Sequence, residues 1–547
     1  MVGRRHRRAP QASIEHANDD ASTTVRVWSL GDAETERRRE GRSYRHSNLQ
    51  PAARFVERGQ DVTVVVPPGA PDLRVGIGLN GNYRDWNEGS HVGVREFPLA
   101  TGPTTVTAPV DGLVYLVDRS TGRGSVDVAV SGGTAVPAFV LGQTSDADFT
   151  RAREQRPDAP FATIVGRRTF TEPLRSSMPA VPSALTERVE LWDRVVALTN
   201  AHFGLLDGAV GLARKAPHKI HIALPNTGGG YASAGNDRIT MQISTGAAGE
   251  LLHADPGDMW GFWHEVGHTY QTSAYNWAGM GEVVVNASAL DVQHAISGEN
   301  RLDRQSAAGA AAFFAKPVAE RDFDTAGGGW VQILMFDQLR RAFGEHFYPR
   351  LNQALRTGLT LGEVSTPDNG QSKRQLFART AGAVADRDLR PFFAQWGFEL
   401  SDATATSLAA LPPLDRAIWE NRNTATDVPD HDLEAYSVPI GQVSSIQPSV
   451  TVGQRHLDHE PAVTGLGNTD GSGTPRVTDL AVIATAPGAG RLTVTLENGG
   501  SVREVLEAAV DVTAGNMFLF EGMSDKPVLR LATDPRAGAL RLFSGTS

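Results

Sequence analysis

The feature that most constrains this chain is the pentapeptide HEVGH at residues 264–268, which has the pattern H-E-x-x-H. Residues four apart lie on one face of an α-helix, so His264 and His268 can direct their imidazoles at a single metal ion. Zinc is the ion that such a pair binds. Glu265 follows the first histidine, where its carboxylate can hold a metal-bound water and accept its proton. The pattern therefore predicts a helix that carries a zinc site.

A zinc site of this kind needs a third protein ligand beside one open position, and Glu282 is the candidate. We predict that residues 280 to 297 form a second helix, which ends at Gly298. Glu282 and Asn286 then lie one turn apart on the same stripe of that helix, so the carboxylate has a polar neighbour. A solvated surface glutamate is the alternative interpretation of Glu282.

The segment around the pentapeptide has the composition of a helix in the protein interior. Large apolar side chains accompany it at five positions, namely Trp260, Phe262, Trp263, Val266 and Tyr270. Asp255 and Pro256 precede them and have the residue types of an N-cap and a first helical position. We therefore predict that the metal-binding helix begins at Pro256.

Length and composition exclude several other classes of protein. With 547 residues, the chain is expected to fold into about two to four domains. Cysteine is absent, which excludes disulfides, a thiol nucleophile and a structural zinc held by cysteine. The net charge of −10 argues against non-specific binding to nucleic acid. No apolar run approaches the length of about eighteen residues that a transmembrane helix needs.

The chain starts with several arginines within residues 4–8, but no apolar stretch follows them. A classical signal peptide has such a stretch, so none is visible here. We predict a disordered polar tail over residues 1 to 22.

Hydrophobic patterning divides the rest of the chain into three regions. Residues 23 to 165 contain alternating, β-branched runs separated by Gly, Pro and Asp clusters, which predicts an N-terminal β-sandwich. Residues 166 to 425 combine a few short strands with helical periodicity and contain the zinc motif, which indicates a mainly helical α+β domain. Residues 430 to 547 alternate like strands again and predict a C-terminal β domain.

Spacing excludes two kinds of zinc peptidase. The metzincin pattern requires glycine at position 271 and histidine at position 274, whereas this chain has Gln271 and Ala274. Aminopeptidases with a glutamate ligand usually carry a Gly-x-Met-Glu-Asn run, which the sequence lacks.

The motif H-E-x-G-H-x-x-Q from His264 to Gln271, followed by G-E-V-x-x-N from Gly281 to Asn286, resembles the enhancin-like zinc metallopeptidases. This family, peptidase family M60, includes viral enhancins and bacterial mucin-degrading proteases, and the likeness covers roughly residues 42 to 412. One stretch departs from relatives, because residues 231–237 read YASAGND where a His-Ser-Gly-Tyr-Pro-like run is usual.

The resemblance to this family implies a protease type, a substrate class and a cellular location, which the residues alone do not indicate. It implies a gluzincin-type protease domain, cleavage of O-glycosylated, mucin-type glycoproteins, and a secreted or cell-surface location. It also links residues 516–522 faintly with a carbohydrate-binding module, and a purely structural β domain is the alternative. We predict one zinc ion per chain, held by His264, His268 and Glu282, with Glu265 as the general base and then the general acid.

Several assignments stay open at the level of sequence. A donor to the tetrahedral intermediate is needed besides zinc, and Tyr231, Tyr275 and His294 are candidates by side-chain chemistry alone. Residues 231–233 or 241–243 are candidate edge-strand segments that could align a substrate by β-addition, with a plain hairpin as the alternative. Two other functions compete with the glycoprotein-directed protease: a general or cell-wall-directed metallopeptidase, and a glycan-binding protein with a vestigial zinc site.

Overall fold

The structure is a computed structural model that describes residues 11–431 apart from 70–71, 88–92, 122–123, 176–181, 183, 206–214 and 361–369. It further describes Leu433 and, beyond it, the backbone of seven strands. No helix in this described part is long and apolar enough to cross a membrane.

The N-terminal region consists of ten strands and two short helices. Its elements are β1 (Ile14–His16), β2 (Ser22–Trp28), α1 (Ala33–Glu40), β3 (Gln50–Val56), β4 (Asp61–Val66), β5 (Leu73–Leu79), α2 (Arg84–Asn87), β6 (Gly93–Pro98), β7 (Gly102–Thr107), β8 (Gly112–Asp118), β9 (Ser125–Ser131) and β10 (Thr134–Ala135). One five-stranded sheet has the order β1-β2-β9-β4-β7, and the other has the order β10-β3-β8-β5-β6.

The two sheets pack face to face around a shared apolar core, as the alternating sequence predicts. In β4, Val62 and Val64 are buried while Val65 points outward and is exposed. Val75 and Ile77 on β5 belong to the same core cluster, although they come from the other sheet. The predicted N-terminal β-sandwich is therefore confirmed.

The prediction of a disordered tail is wrong for residues 11–22. Strand β1 pairs with β2, placing Ile14 opposite Val25, and Ile14 is buried. His16 adds a contact between its Nε2 atom and the carbonyl of Val136 at 2.9 Å. A three-residue strand is too short to produce a period in the sequence, which explains the error. Residues 1–10 lie outside the described residues.

A six-stranded mixed sheet follows the sandwich. Its strands are β11 (Ala138–Val140), β12 (Thr163–Val165), β13 (Thr169–Thr171), β14 (Ile220–Ala223), β15 (Ala232–Gly235) and β16 (Arg238–Met241), in the order β11-β12-β13-β14-β16-β15. Because β11 and β12 belong to this sheet, the predicted division of the chain at residue 166 is too late. Strands of three residues do not reveal from sequence which sheet they join.

Twelve helices are associated with the mixed sheet in the described part of the chain. They are α3 (Asp146–Gln155), α4 (Leu185–His202), α5 (Ala247–His253), α6 (Trp260–Tyr270), α7 (Gly281–Ser297), α8 (Leu302–Gln305), α9 (Ala307–Phe314), α10 (Gly329–Phe343), α11 (Phe347–Thr360), α12 (Gly370–Ala385), α13 (Arg390–Gln395) and α14 (Asp402–Ala409). The predicted helix over residues 280 to 297 is confirmed as α7, which ends at Gly298 with a φ of 73°.

Helix α6 is held between the sheet and α7. Its apolar residues Phe262 and Val266 share one buried cluster with Ile239 of β16. Gly267 permits the close approach to α7, because a Cβ atom there would lie 2.7 Å from the Ser288 hydroxyl oxygen. This packing fixes the position of the metal motif relative to the first turn of α7.

The helical region extends beyond the predicted end at residue 425. The carboxylate of Asp427 accepts a hydrogen bond from Arg341 at 2.8 Å, and the amide of Asp430 donates to the carbonyl of Ala342 at 2.9 Å. Leu433 is buried in the helical core. This segment is polar in sequence, so its attachment to the helices could not be predicted from periodicity.

The described residues of the C-terminal region form seven strands, in agreement with the predicted β character. They are β17 (Val450–Val452), β18 (Asp479–Ala484), β19 (Gly488–Asn498), β20 (Ser501–Val512), β21 (Met517–Glu521), β22 (Leu529–Thr533) and β23 (Leu540–Gly545). They form a four-stranded sheet in the order β17-β22-β19-β20 and a three-stranded sheet in the order β21-β18-β23. The candidate carbohydrate-binding segment 516–522 falls largely on β21, and its two end residues lie outside the described residues.

Candidate metal centre

Helix α6 begins at Trp260 rather than at Pro256, and its cap comes from another element. Asp255 instead starts a turn that is closed by a hydrogen bond from the amide of Asp258 to its carbonyl at 2.9 Å. At the helix start, the carboxylate of Glu250 on α5 accepts a hydrogen bond from the amide of Phe262 at 2.9 Å. A carboxylate is favourable at this end of a helix because of the macrodipole. A cap that arrives from elsewhere in the fold leaves no local signal in the sequence.

The three predicted ligands converge on one point. The Nε2 atoms of His264 and His268 lie 3.0 Å apart. The Oε2 atom of Glu282 lies 3.1 Å from the first and 3.4 Å from the second. Zinc bonds of about 2.0–2.1 Å in a tetrahedral arrangement separate neighbouring ligand atoms by about 3.3 Å. Two imidazoles and one carboxylate at these separations therefore fit a zinc ion with one position left open.

Two carboxamide side chains hold the imidazoles in the orientation that metal binding requires. The Nδ1–H of His264 donates to Asn286 Oδ1 at 2.8 Å, and that of His268 donates to Gln271 Oε1 at 2.8 Å. With Nδ1 protonated, the lone pair of each Nε2 atom is free for the metal.

The same amides are tied to the start of α7. Asn286 donates to the carbonyl of Glu282 at 2.8 Å, and Gln271 donates to the carbonyl of Gly281 at 2.6 Å. Each amide thus links one histidine to the segment that carries the third ligand. The roles of Asn286 and Gln271 in orienting the histidines were not predicted from the sequence. The position of Asn286, one turn after Glu282, is a feature of the sequence that indicates a place beside the ligands.

Glu265 is buried next to the ligand atoms. Burial raises the pKa of its carboxyl to about 8, and the nearby charges of Glu282 and Glu250 contribute to the rise. Its Oε2 atom accepts no hydrogen bond from any described residue. A carboxyl group that is buried beside a metal site and has an oxygen without a hydrogen-bond partner is suited to exchanging a proton with a water molecule.

An open cleft of about 570 Å³ gives access to His264 and Glu265. Tyr231 lines it and donates a hydrogen bond to Glu250 Oε2 at 2.7 Å. Gly261 leaves room for the tyrosine ring, because a Cβ atom at this position would lie 2.9 Å from it. Of the three candidate donors, Tyr231 is therefore placed in the cleft.

The other two candidate donors do not line the cleft. Tyr275 is buried in the helical core, where its hydroxyl donates to Asn352 Oδ1 at 3.1 Å. His294 is exposed on α7, twelve residues beyond Glu282, which corresponds to about 18 Å along the helix axis. Side-chain chemistry alone could not distinguish these residues from Tyr231, because the distinction depends on their places in the fold.

Comparison with protein families confirms the resemblance found in the sequence. The family model described as "Peptidase M60, enhancin and enhancin-like" matches residues 132–397. The curated relatives include the TRPM8 channel-associated factor homolog of Danio rerio, which is 24% identical over 329 residues, covering 58% of this chain and 34% of that protein. TRPM8 channel-associated factor 1 of Homo sapiens is 24% identical over 323 residues, covering 56% and 33%. The chain thus spans about a third of the length of these relatives.

Solved structures share the fold over nearly the whole chain. A functionally unknown conserved protein from Bacillus anthracis str. Ames has a TM-score of 0.71 and 23% identity, covering 93% of this chain and 99% of that one. The M60 catalytic domain of ZmpC from Clostridium perfringens, in complex with the sialyl T antigen, has a TM-score of 0.59 and 15% identity, covering 93% and 100%. A metallopeptidase in complex with Tn antigen has a TM-score of 0.62 and 15% identity, covering 92% and 98%.

Proposed function

Because residues 132–397 belong to the enhancin-like Peptidase M60 family, we propose that the protein is a zinc-dependent endopeptidase that cleaves O-glycosylated, mucin-type glycoproteins. The observation that carries this proposal is the convergence of His264, His268 and Glu282 within ligand distance of one another, beside the buried carboxyl of Glu265. The glycan part of the proposal draws on two proteins of similar fold that are described as complexes with glycan antigens. A secreted or cell-surface location belongs to the same proposal.

In this mechanism, His264, His268 and Glu282 would hold one zinc ion. Bound there, the ion would supply Lewis-acid chemistry, which favours ionisation of water and polarisation of a carbonyl group. Glu265 accepts the proton of the attacking water and then delivers it to the leaving amine. The high pKa of Glu265 falls when a divalent cation is bound beside it, since a positive charge favours the ionised carboxylate.

Tyr231 has a restricted part in this scheme. Its hydroxyl has one proton, which is donated to Glu250. The hydroxyl can donate to a tetrahedral oxyanion only after this hydrogen bond has broken. In the present structure, the ring of Tyr231 forms part of the cleft wall. Burial and the charge of Glu250 raise the pKa of Tyr231, which keeps the hydroxyl protonated.

The edge of the mixed sheet is the proposed track for the substrate backbone. Strand β15 is the last strand in the sheet order, and it pairs with β16 on its other side, with Ala232 opposite Met241. Ala232 also lines the cleft that reaches His264. A peptide added to this edge as a further strand would pass in front of the metal ligands.

Cleavage of one O-glycopeptide and of its unglycosylated twin tests the proposal. The wild-type protein should cut the glycopeptide, and Glu265→Gln should reduce kcat by a factor of about 10² to 10⁴ or more, because glutamine cannot accept the proton. Glu299→Gln, which removes an exposed carboxylate just beyond α7, is the matched control and should leave the rate unchanged.

Three outcomes separate the competing functions. Equal cleavage of both peptides would favour a general or cell-wall-directed metallopeptidase. Zinc binding and glycan binding without any cleavage would favour a vestigial site. An undiminished rate in Glu265→Gln would assign the base to another residue.

A further inference from the structure

The active-site cleft contains one arginine whose interactions the proposed mechanism does not use. Arg301 follows α7 and lines the cleft together with His264 and Glu265. Its guanidinium carbon lies 4.0 Å from the ring centroid of Trp260 and 5.3 Å from that of Trp330 on α10. The two indoles therefore form an aromatic corner that holds the cation by cation–π attraction.

The aromatic corner leaves the hydrogen-bonding capacity of Arg301 unsatisfied. An indole is a donor only, so neither tryptophan supplies an acceptor atom. The Nε atom of Arg301 is buried and has no hydrogen-bond partner in the described structure. Its terminal nitrogens are not among the buried atoms, and no hydrogen bond or ion pair joins them to a described residue, so they are open to the solvent in the cleft. These nitrogens can therefore donate to an acceptor that enters the cleft in place of water.

The backbone keeps Arg301 in this place. Its amide donates to the Oε1 atom of Gln293 on α7 at 2.9 Å. Asp258 and Glu250 also line the cleft and act on Arg301 through their charges, but neither forms an ion pair with it. The arginine is thus held next to two carboxylates without being neutralised by either.

The distance of the Arg301 guanidinium from the metal ligands can be judged from helix α6, which carries both Trp260 and His264. Trp260 precedes His264 by four residues, so the two lie on one face of the helix, one turn or about 5.4 Å apart. A substrate group bound by Arg301 would therefore lie about one or two residues away from the scissile bond, given a rise of about 3.3 Å per residue in an extended peptide.

We propose that Arg301 is a specificity-determining residue that binds a carboxylate of the substrate in the cleft. The terminal nitrogens of a guanidinium present parallel N–H donors, and their spacing matches the two oxygens of a carboxylate. The carboxylate has two possible sources: an acidic side chain near the cleaved bond, or an acidic sugar on the attached glycan. This inference rests on the proposed peptidase function for its substrate, but its test does not require cleavage.

The test measures binding to the full-length protein carrying Glu265→Gln, so that bound peptides are not consumed. One arm compares O-glycopeptides that carry a single Glu or Gln at successive positions around the cleaved bond. The other arm compares the sialylated and asialo forms of one glycopeptide. In one of the two arms, the acidic form should bind about tenfold more tightly, as expected for a charge-assisted hydrogen bond at a partly exposed site.

Substitution of the arginine identifies the group responsible. Adding Arg301→Gln should remove the preference for the acidic form and leave the affinity for the neutral form nearly unchanged. Arg304→Gln is the matched control, because Arg304 is an exposed arginine one turn further along that does not line the cleft. A thermal melt of each variant shows whether the fold is intact, and Arg301→Met, which keeps an unbranched side chain against the indoles but has no N–H donor or charge, replaces Arg301→Gln if the latter melts early.

The outcomes decide the inference separately from the proposed function. Loss of the preference in Arg301→Gln, but not in Arg304→Gln, would support it, and the arm that shows the preference identifies the source of the carboxylate. Equal binding of acidic and neutral forms in both arms, or no detectable binding of either, would overturn it, as would an equal loss in both variants. A wild-type protein that cuts no peptide would instead contradict the peptidase function.

Discussion

Asn286 and Gln271 show how single residues prepare the site for a metal. Each amide accepts a hydrogen bond from one imidazole and donates a hydrogen bond to a backbone carbonyl at the start of α7. Zinc-bound histidines are often oriented by carboxylates, which add negative charge, whereas an amide orients the ring without doing so. Glu282 is therefore the one ligand of the three that contributes a negative charge, and Glu265 adds a second carboxyl group nearby.

Replacement of Asn286 tests this orienting role. Asn286→Ala should weaken zinc binding by about tenfold to a hundredfold, which is typical for loss of an orienting partner. Asn286→Asp keeps an acceptor for His264 and should bind zinc at least as tightly as the wild type. Competition with a chromogenic chelator measures both affinities. Equal affinities of the alanine variant and the wild type would show that the imidazole needs no such support.

His218 predicts how the free energy of unfolding depends on pH. Burial lowers its pKa from 6.5 to about 4, and the ring contacts the carbonyl of Gly31 through Nε2 at 3.2 Å. His218 in the unfolded chain binds a proton more readily than in the folded chain. The free energy of unfolding is therefore unaffected by His218 above pH 6.5 and decreases as the pH falls from 6.5 to about 4, because only the unfolded state becomes protonated over this range. The loss amounts to about 3 kcal/mol, at about 1.4 kcal/mol per pKa unit.

Denaturant unfolding of the wild type and of His218→Gln at pH 7 and pH 4.5 measures this contribution. The variant should be less stable at pH 7, but it should lose about 2 to 3 kcal/mol less than the wild type on acidification. Parallel losses in the two proteins would mean that other groups cause the acid sensitivity.

At the scale of elements, the contact between α6 and α7 determines the geometry of the metal centre. The two helices approach closely at Gly267, one residue before His268. Gly267→Ala would place a methyl group 2.7 Å from the Ser288 oxygen and 2.9 Å from a Val285 methyl carbon, both on α7. The helices would have to separate, so we expect a loss of about 1–3 kcal/mol in stability together with weaker zinc binding.

Gly249→Ala is the matched control for this prediction. Gly249 lies within α5, and a Cβ atom there would meet nothing within 4 Å. Alanine should be neutral or stabilising by up to about 1 kcal/mol at this position, because it is the better helix former. Thermal melts and zinc titrations of the two variants provide the comparison. Similar behaviour of both would show that the spacing of α6 and α7 does not determine zinc affinity.

Prediction from sequence succeeded where a motif or a long period specifies the structure and failed where a distant contact does. The pairing of His264 with His268 follows from spacing, because helical geometry converts sequence separation into a shared face. Helix α7 follows from a long segment that ends at a glycine, Gly298. The start of α6 does not, because its capping carboxylate comes from Glu250 on another helix. Tyr275 has the right side chain for the cleft but lies in the core, which only the packing of the helices determines.

In the molecule as a whole, ion pairs with buried side chains attach the closing segment up to Leu433 to the helices. Arg341 pairs with Asp337 on its own helix and with Asp427 from the closing segment. The side chain of Asp430 is fully buried and pairs with Arg387 at 2.9 Å. We therefore propose that the helical region continues at least to Leu433 and that the boundary with the C-terminal strands lies after it.

Two truncations test this boundary and the role of the C-terminal strands. A chain that ends at residue 433 should keep its fold and its activity on a short glycopeptide. Its cleavage of a long mucin-type glycoprotein should weaken, because a second point of attachment raises the local substrate concentration. A chain that ends at residue 425 should lose about 3 kcal/mol or more of stability, because buried arginines lose their partners. Equal losses on both substrates at residue 433 would show that the C-terminal strands support the catalytic fold.

The zinc content of the purified protein and of two variants, determined by elemental analysis, tests the metal site at His264, His268 and Glu282. We expect about one zinc ion per chain in the wild type and in Glu265→Gln. We expect almost none in the double variant His264→Ala, His268→Ala, whose fold is checked by circular dichroism. Full zinc occupancy in a folded double variant would show that the metal is bound elsewhere and would contradict a site formed by these histidines.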